Sequence, residues 1–212
     1  MVTRQKPLVI ITGASGNIGG TLCEALRKNY RVVGLDVNSC EKADTSIHCD
    51  LTSDSSVKSA FNKIREQFGQ KIAAVIHLAA YFDFTGEPHA LYQSVTVGGT
   101  QRLLKILQDF DIERFIYSST MLVHEPSVPG QKITEDMPLK PGWAYPQSKA
   151  DAEKAIRQEH GNIPFTILRL AGVYDNDSAV PTLSRQIARI YERDFKSHLY
   201  AGDLMAGQAL IH

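Results

Sequence analysis

Residues Leu8-Val9-Ile10-Ile11-Thr12-Gly13-Ala14-Ser15-Gly16-Asn17-Ile18-Gly19-Gly20 carry apolar, mostly β-branched positions directly into a glycine-spaced turn. A helical pattern follows, with Ile18, Leu22 and Leu26 on one face. The order predicted is strand, tight turn, helix. Glycine suits such a turn because the backbone enters conformations closed to other residues and must approach a ligand without a Cβ in the way. Free N–H groups at the helix start, aided by the helix dipole, favour a pyrophosphate. Gly13, Ser15, Gly16, Asn17, Ile18 and Gly19 are the first candidates for a cofactor-binding surface.

Such a turn also serves plain strand-to-helix packing, and the neighbouring sequence decides between the two uses. A second strand, Arg31–Asp36, ends in a carboxylate at the spacing of a dinucleotide fingerprint. Asp36 there accepts hydrogen bonds from the adenosine ribose hydroxyls and repels a 2′-phosphate, so NAD is expected in preference to NADP. The class expected is α/β, a Rossmann-type doubly wound parallel sheet with helices on both faces.

At 212 residues the chain is long enough for a domain with a sizeable core. Its 23 basic residues balance 23 acidic ones, which gives no field for nucleic acid or a membrane surface. The N-terminus is too short and polar for a signal peptide, and no apolar run approaches a membrane span. Cys23, Cys40 and Cys49 have no metal-like spacing, so no metal is expected and a reduced, cytoplasmic protein is the simplest account.

A short third strand, Ser46-Ile47-His48-Cys49, leads to Asp50-Leu51-Thr52. Asp50 and Leu51 are candidates for the edge and face of an adenine; equally, Asp50 and Thr52 serve as turn and cap residues. A fourth strand over Ala73-Ala74-Val75-Ile76-His77-Leu78-Ala79-Ala80 ends in small residues, as expected where a backbone passes under a cofactor, which adds Leu78, Ala79 and Ala80 to the candidates. His77, well inside the apolar run, reads as a satisfied buried histidine rather than a catalyst. A long helix is predicted over residues 88–110, with Gly98-Gly99 inside it for close helix packing.

The fifth strand, Arg114-Phe115-Ile116-Tyr117, places Ser118-Ser119-Thr120 at its carboxyl end, where open α/β sheets bind ligands. A proline-stiffened loop, residues 121–142 with Pro126, Pro129, Pro138 and Pro141, follows as a candidate lid or binding segment. Next, Tyr145-Pro146-Gln147-Ser148-Lys149 opens a helix, with Tyr145 at or just before its start and Lys149 one turn on. A cation near a phenol stabilises phenolate, and a tyrosine so tuned exchanges protons with an alcohol near neutral pH.

In this order, Thr12-Gly13-x-x-Gly16-x-x-Gly19, Asp36, Asp50-Leu51, His77-Leu78-Ala79-Ala80, Ser118-Ser119-Thr120, Tyr145-x-x-x-Lys149 and Leu168-Arg169-Leu170 resemble the extended short-chain dehydrogenase/reductase family, also called the NAD-dependent epimerase/dehydratase family. The resemblance implies an NAD(P)-dependent oxidoreductase or epimerase, with hydride passing between nicotinamide and a secondary alcohol or ketone of nucleotide-sugar or sterol/flavonoid-like type. Tyr145 would be the acid/base, Lys149 would lower its pKa and bond the nicotinamide ribose, and Thr120 would hold the reacting oxygen. The alternative from another class is a non-catalytic dinucleotide-binding or interaction protein.

The chain departs from that family's pattern at several points. Met121-Leu122 stand where dehydratases carry acids, His124-Glu125 where many members have Tyr-Gly, and Thr96 where asparagine is usual. Gly172 replaces a sugar-nucleotide asparagine and, with Tyr145-Pro146, resembles the 3β-hydroxysteroid dehydrogenase and dihydroflavonol reductase branch. Tyr200-Ala201-Gly202-Asp203 and Ala209-Leu210-Ile211-His212 resemble a stretch after which family members continue. The expectation is a truncated product: a dinucleotide-binding domain at 1–175 and an incomplete substrate-binding part at 176–212, which binds cofactor with little or no turnover. A homodimer through the helices at 88–110 and 146–160 is also expected.

Overall fold

All five residues of the first strand, β1 (Leu8–Thr12), are buried, because side chains alternate between two covered faces. Ile10 joins a core with Val33, Leu35, Val75 and Leu103, whereas Val9 and Ile11 face a second core around Cys23 and Val32. The computed structural model describes residues 6–83, 86–128, 130–174, 181–198 and 209–212; residues 1–5, Pro129 and the Tyr200-Ala201-Gly202-Asp203 stretch lie outside these.

After β1 come α1 (Asn17–Leu26), β2 (Arg31–Asp36), β3 (Thr45–His48), α2 (Asp54–Phe68), β4 (Lys71–Ile72) and β5 (Ala74–His77). A π-helical turn, Tyr92–Val97, runs into α3 (Gly98–Leu107), followed by β6 (Asp111–Ile112), β7 (Phe115–Thr120), α4 (Ala144–Glu159) and β8 (Phe165–Leu170). β9 (Gly172–Val173), α5 (Pro181–Tyr191) and β10 (Leu210–Ile211) complete the elements used below. The main sheet is parallel throughout, in the order β3-β2-β1-β5-β7-β8. This is the doubly wound arrangement expected, and its order reverses between β1 and β5, where the carboxyl ends leave a crevice.

Local chemistry accounts for the boundaries. Ser53 caps α2 by accepting the Ser56 N–H at 3.3 Å, and Gly69 ends that helix with φ +84°. β5 stops at His77, so Leu78-Ala79-Ala80 is a loop rather than the end of a strand. β7 instead extends to Thr120, paired with β8 up to Leu170. The helix predicted over residues 88–110 was expected to be interrupted at Gly98-Gly99-Thr100; its irregular part instead precedes the glycines, as a π-helical stretch at Tyr92–Val97 that runs directly into α3. Gly99 makes room for Leu51 rather than for another helix: a Cβ there would lie 3.0 Å from the Leu51 Cβ.

His77 is satisfied on both ring nitrogens, as its place in the apolar run implies. Thr100 donates its hydroxyl to the Thr96 carbonyl at 2.6 Å, so His77 Nε2–H donates to Thr100 Oγ1 at 2.9 Å. Nδ1 then accepts from the Thr12 hydroxyl at 2.6 Å, and that oxygen accepts the Ala79 N–H at 3.3 Å. Burial holds His77 in its neutral form, with its pKa down from 6.5 to about 3. The unfolded chain takes up this proton below its ordinary value while the folded chain does not, so stability falls as pH drops from 6.5 towards 3. His77→Phe should lose about 1–3 kcal/mol at neutral pH from the stranded hydroxyls and should show a shallower acid slope, both read from urea unfolding across that range.

Candidate active site

The turn after β1 is built for close approach. Gly13 has φ +71°, and a Cβ on it would fall 2.8 Å from the Ala79 nitrogen. Gly19 lies beneath the turn, where a Cβ would overlap the Gly13 carbonyl oxygen; its role is to let α1 pack against the turn. Gly13, Ser15 and Gly16 line a cavity of about 350 Å³ with Asp36, Asp50, Leu51, Leu78, Ala79 and Ala80. Residues from four separate strand ends thus meet in one place. Leu35, Val37, Cys49 and Val95 complete its wall and were not legible as site residues, because they look like ordinary core and loop positions.

Asp36 bridges this cavity's floor. Its Oδ2 accepts the Ser15 N–H at 3.0 Å and its Oδ1 the Asn38 N–H at 3.2 Å. Asp50 serves its own turn, accepting both the Thr52 N–H at 2.8 Å and the Thr52 hydroxyl at 2.7 Å. These bonds hold its carboxyl below the usual range. Asn17 and Ile18 begin α1; Ile18 lines a second cavity, whereas Asn17 and Gly19 line neither.

That second cavity, about 490 Å³, holds Ser118, Ser119, Thr120, His124 and Tyr145 in its wall. Tyr145 is the second residue of α4, inside the helix rather than before it. Three aromatic rings surround it: Phe82 at 4.7 Å, Trp143 at 5.5 Å and Tyr92 at 6.5 Å between centroids. Thr120 Oγ1 accepts the Leu122 N–H at 3.2 Å. Lys149 is buried, its Nζ donating to the Ser118 carbonyl at 2.7 Å and lying 4.8 Å from the Tyr117 ring centroid and 6.0 Å from that of Tyr145.

The electrostatics run opposite to the sequence expectation. Burial pushes the Tyr145 phenol up to about 12, with Tyr92 adding to the effect. Burial likewise pulls Lys149 down from 10.5 to about 7, opposed by Glu153. Loss of hydration outweighs the attraction of a lysine whose own charge is suppressed. Thr96, in the asparagine position, is committed within the protein: its hydroxyl accepts the Tyr81 N–H at 3.0 Å and its carbonyl the Thr100 hydroxyl.

Behind the cavity wall stands a buried network that motif reading did not assemble. Glu153, one turn beyond Lys149, accepts the Ser119 hydroxyl at 2.5 Å and two bonds from Arg169, at 3.1 and 2.8 Å. Arg169 Nη1 reaches His124 Nε2 at 3.1 Å and the Glu135 carbonyl at 3.0 Å. The only available signal was spacing, since Tyr145, Lys149 and Glu153 repeat every four residues on one helix face.

A family model described as the NAD dependent epimerase/dehydratase family matches residues 9–212, and the chain belongs to that family. It is 29% identical over 170 residues to a UDP-glucose 4-epimerase of Bacillus subtilis, covering 72% of this chain and 48% of that protein. It is 28% identical over 176 residues to a decarboxylating sterol-4-alpha-carboxylate 3-dehydrogenase of Schizosaccharomyces pombe, covering 78% and 50%. The chain therefore spans about half the length of these relatives. Among solved structures it resembles UDP-glucuronic acid 4-epimerase from Bacillus cereus in complex with UDP-glucuronic acid and NAD, with TM-score 0.70 and 26% identity over 87% of this chain and 63% of that one. These relatives are enzymes, and the reading as a non-catalytic binding protein finds no support among them.

Lys149 is neutral in the folded chain above about pH 7 but charged in the unfolded chain up to about 10.5. Its contribution to stability rises with pH across that window and falls away as pH drops through the folded value. Tyr145, with its pKa raised to about 12, keeps its proton in both states up to 10 and adds no slope there. Lys149→Met should therefore raise Tm more at pH 6 than at pH 9 when melting curves are compared.

Proposed function

We propose that this member of the NAD dependent epimerase/dehydratase family binds NAD along the Gly13–Gly16 turn and catalyses hydride transfer at a secondary alcohol or ketone carbon. The carrying observation is the shared cavity wall of Tyr145 and Thr120, joined through Ile18 to the glycine turn and backed by Lys149. Bound NAD supplies the site that takes up or returns hydride. The chain's own residues do the rest.

The cradle fits a dinucleotide, because Gly13 cannot carry a side chain so close to Ala79 and the cavity behind it ends at Asp36. Asp36 turns its carboxylate to the ribose hydroxyls and excludes a 2′-phosphate. Asn17 and the start of α1 face the pyrophosphate, and Asp50, Leu51, Leu78, Ala79 and Ala80 enclose the remaining cofactor surface. Thr120 positions the reacting oxygen, and Tyr145 moves its proton. The phenol gives up that proton readily only when Lys149 is charged, so Lys149 sets the timing through its electrostatic contact and bonds the nicotinamide ribose.

The substrate is a small molecule of the nucleotide-sugar or sterol/flavonoid-like type, and the outcome is oxidation or, through a transient ketone, epimerisation. We place the cofactor domain at 1–175 and the start of the substrate-binding part at 176–212. The protein acts in the cytoplasm, and pairs as a homodimer through the outer faces of the helices at 88–110 and 146–160.

Tyr145→Phe should lower hydride transfer at least about a hundredfold while leaving NAD affinity unchanged, followed by NADH absorbance and by titration of the cofactor. Unchanged turnover removes Tyr145 from the reaction. Asp36→Ala should narrow the preference for NAD over NADP in the same titrations, and an unaltered ratio rejects the ribose assignment.

A further inference from the structure

Lys149 serves the reaction described above in its charged form, yet its surroundings oppose charge. It is 2% exposed, and a neutral group, the Ser118 carbonyl, receives its Nζ at 2.7 Å. The rings beside it supply no negative charge at neutral pH: Tyr117 on β7 and Tyr145 on α4 both have their phenols raised by burial. Tyr92, from the π-helical stretch packed on α4, is raised in the same way, and His77 on β5 is neutral. Loss of hydration therefore favours a neutral lysine. Glu153, one turn further along α4, is the carboxylate that opposes this.

Glu153 is itself 1% exposed and lines neither cavity. Both of its oxygens are taken by donors: Oε1 by the Ser119 hydroxyl at 2.5 Å and Arg169 Nε at 3.1 Å, Oε2 by Arg169 Nη2 at 2.8 Å. A two-pronged guanidinium and a hydroxyl are the partners of an ionised carboxylate. The bonds also form a ladder between α4 and β7. Lys149 is tied to Ser118 and Glu153 to the next residue, Ser119, so each rung fixes the height of the other. Arg169 anchors the far side from β8 through Glu153 and the Glu135 carbonyl.

We propose that Glu153 is a positioning residue: it holds Lys149 at the Ser118 carbonyl and keeps its ammonium charged for the cofactor and for Tyr145, while touching neither itself. The part played by Lys149 in the reaction proposed above is the premise. A carboxylate on the same helix face is close enough to favour the charged lysine. Arg169 in turn lets that carboxylate stay ionised out of water, because an unpaired buried charge is far more costly than a paired one. The pH at which the site loses its cation is thereby set by a residue outside the reacting cavity.

The test is carbon NMR of the 212-residue chain grown with isotopically labelled lysine, with the Lys149 Cε resonance assigned by its loss in Lys149→Met. Its titration midpoint should lie at about 7 in the unaltered chain. Glu153→Gln should lower that midpoint by about one pH unit, whereas Glu153→Asp, which keeps the charge, should restore most of it. Both variants lose stability, so a purely structural role would leave their midpoints alike. Where Glu153→Gln fails to fold, Glu153→Gln combined with Arg169→Gln removes both charges together and should move the midpoint down likewise. An unmoved midpoint in the neutral variant that folds, or an equal fall in Glu153→Asp, overturns the proposal. NAD titrated over the same range should bind more weakly as Lys149 loses its charge, with the onset at lower pH in Glu153→Gln. A midpoint that moves while the NAD curve stays in place rejects the ribose contact of Lys149 and leaves the hold of Glu153 on Lys149 standing.

Discussion

Two peptide backbones meet in the crevice where β1 and β5 part, and the rest of the site depends on that contact. Gly13 turns with φ +71° directly against the Ala79 nitrogen, and α1 is drawn in beneath it because Gly19 presents no Cβ to the Gly13 carbonyl. The Thr12–His77 bond ties the two strand ends at the same register. Close approach here brings a helix start, a carboxylate from β2 and the loop after β5 around one cavity. A methyl group at either glycine would separate them by more than the contact allows.

A second constraint is the burial of charge on α4. Lys149 and Glu153 lie on one face, both nearly inaccessible, and each is held by a different strand-end group: the Ser118 carbonyl and the Ser119 hydroxyl. Successive β7 residues thus receive successive turns of the helix, while Thr120 and Tyr145 share the wall of the larger cavity. Arg169 closes the network from β8. Buried ion pairs are a weak source of stability because desolvation offsets their attraction; the same guanidinium also reaches His124 in the cavity wall.

The legible part of the site was the part encoded by local chemistry. Gly13, Ser15, Gly16, Asp36, Leu51 and the Leu78-Ala79-Ala80 loop line one cavity, and each was recognisable from turn chemistry or from its place at a strand end. Other details needed long-range contacts. The helix at 88–110 widens to a π-helical stretch before its glycines; Tyr92 in that stretch lies 6.5 Å from the Tyr145 ring, and Gly99 receives Leu51. Lys149 Nζ lies 6.0 Å from the Tyr145 ring centroid, but the phenol's proton affinity moved up rather than down, since spacing carries no information about lost hydration. Glu153 drew no reading from the sequence, and its partners Ser119 and Arg169 come from β7 and β8.

By itself, the order of apolar runs, glycines and strand-end carboxylates determined a doubly wound sheet with a dinucleotide-type turn and an ordered set of candidate residues. Those features act over a few residues, where φ/ψ limits and side-chain alternation operate. Only the tertiary structure decided which groups lose their water, which hydroxyl meets Glu153, and which histidine nitrogen is buried without a partner among the described residues. Such properties depend on residues far apart in the chain enclosing one another, and desolvation has no counterpart in sequence spacing.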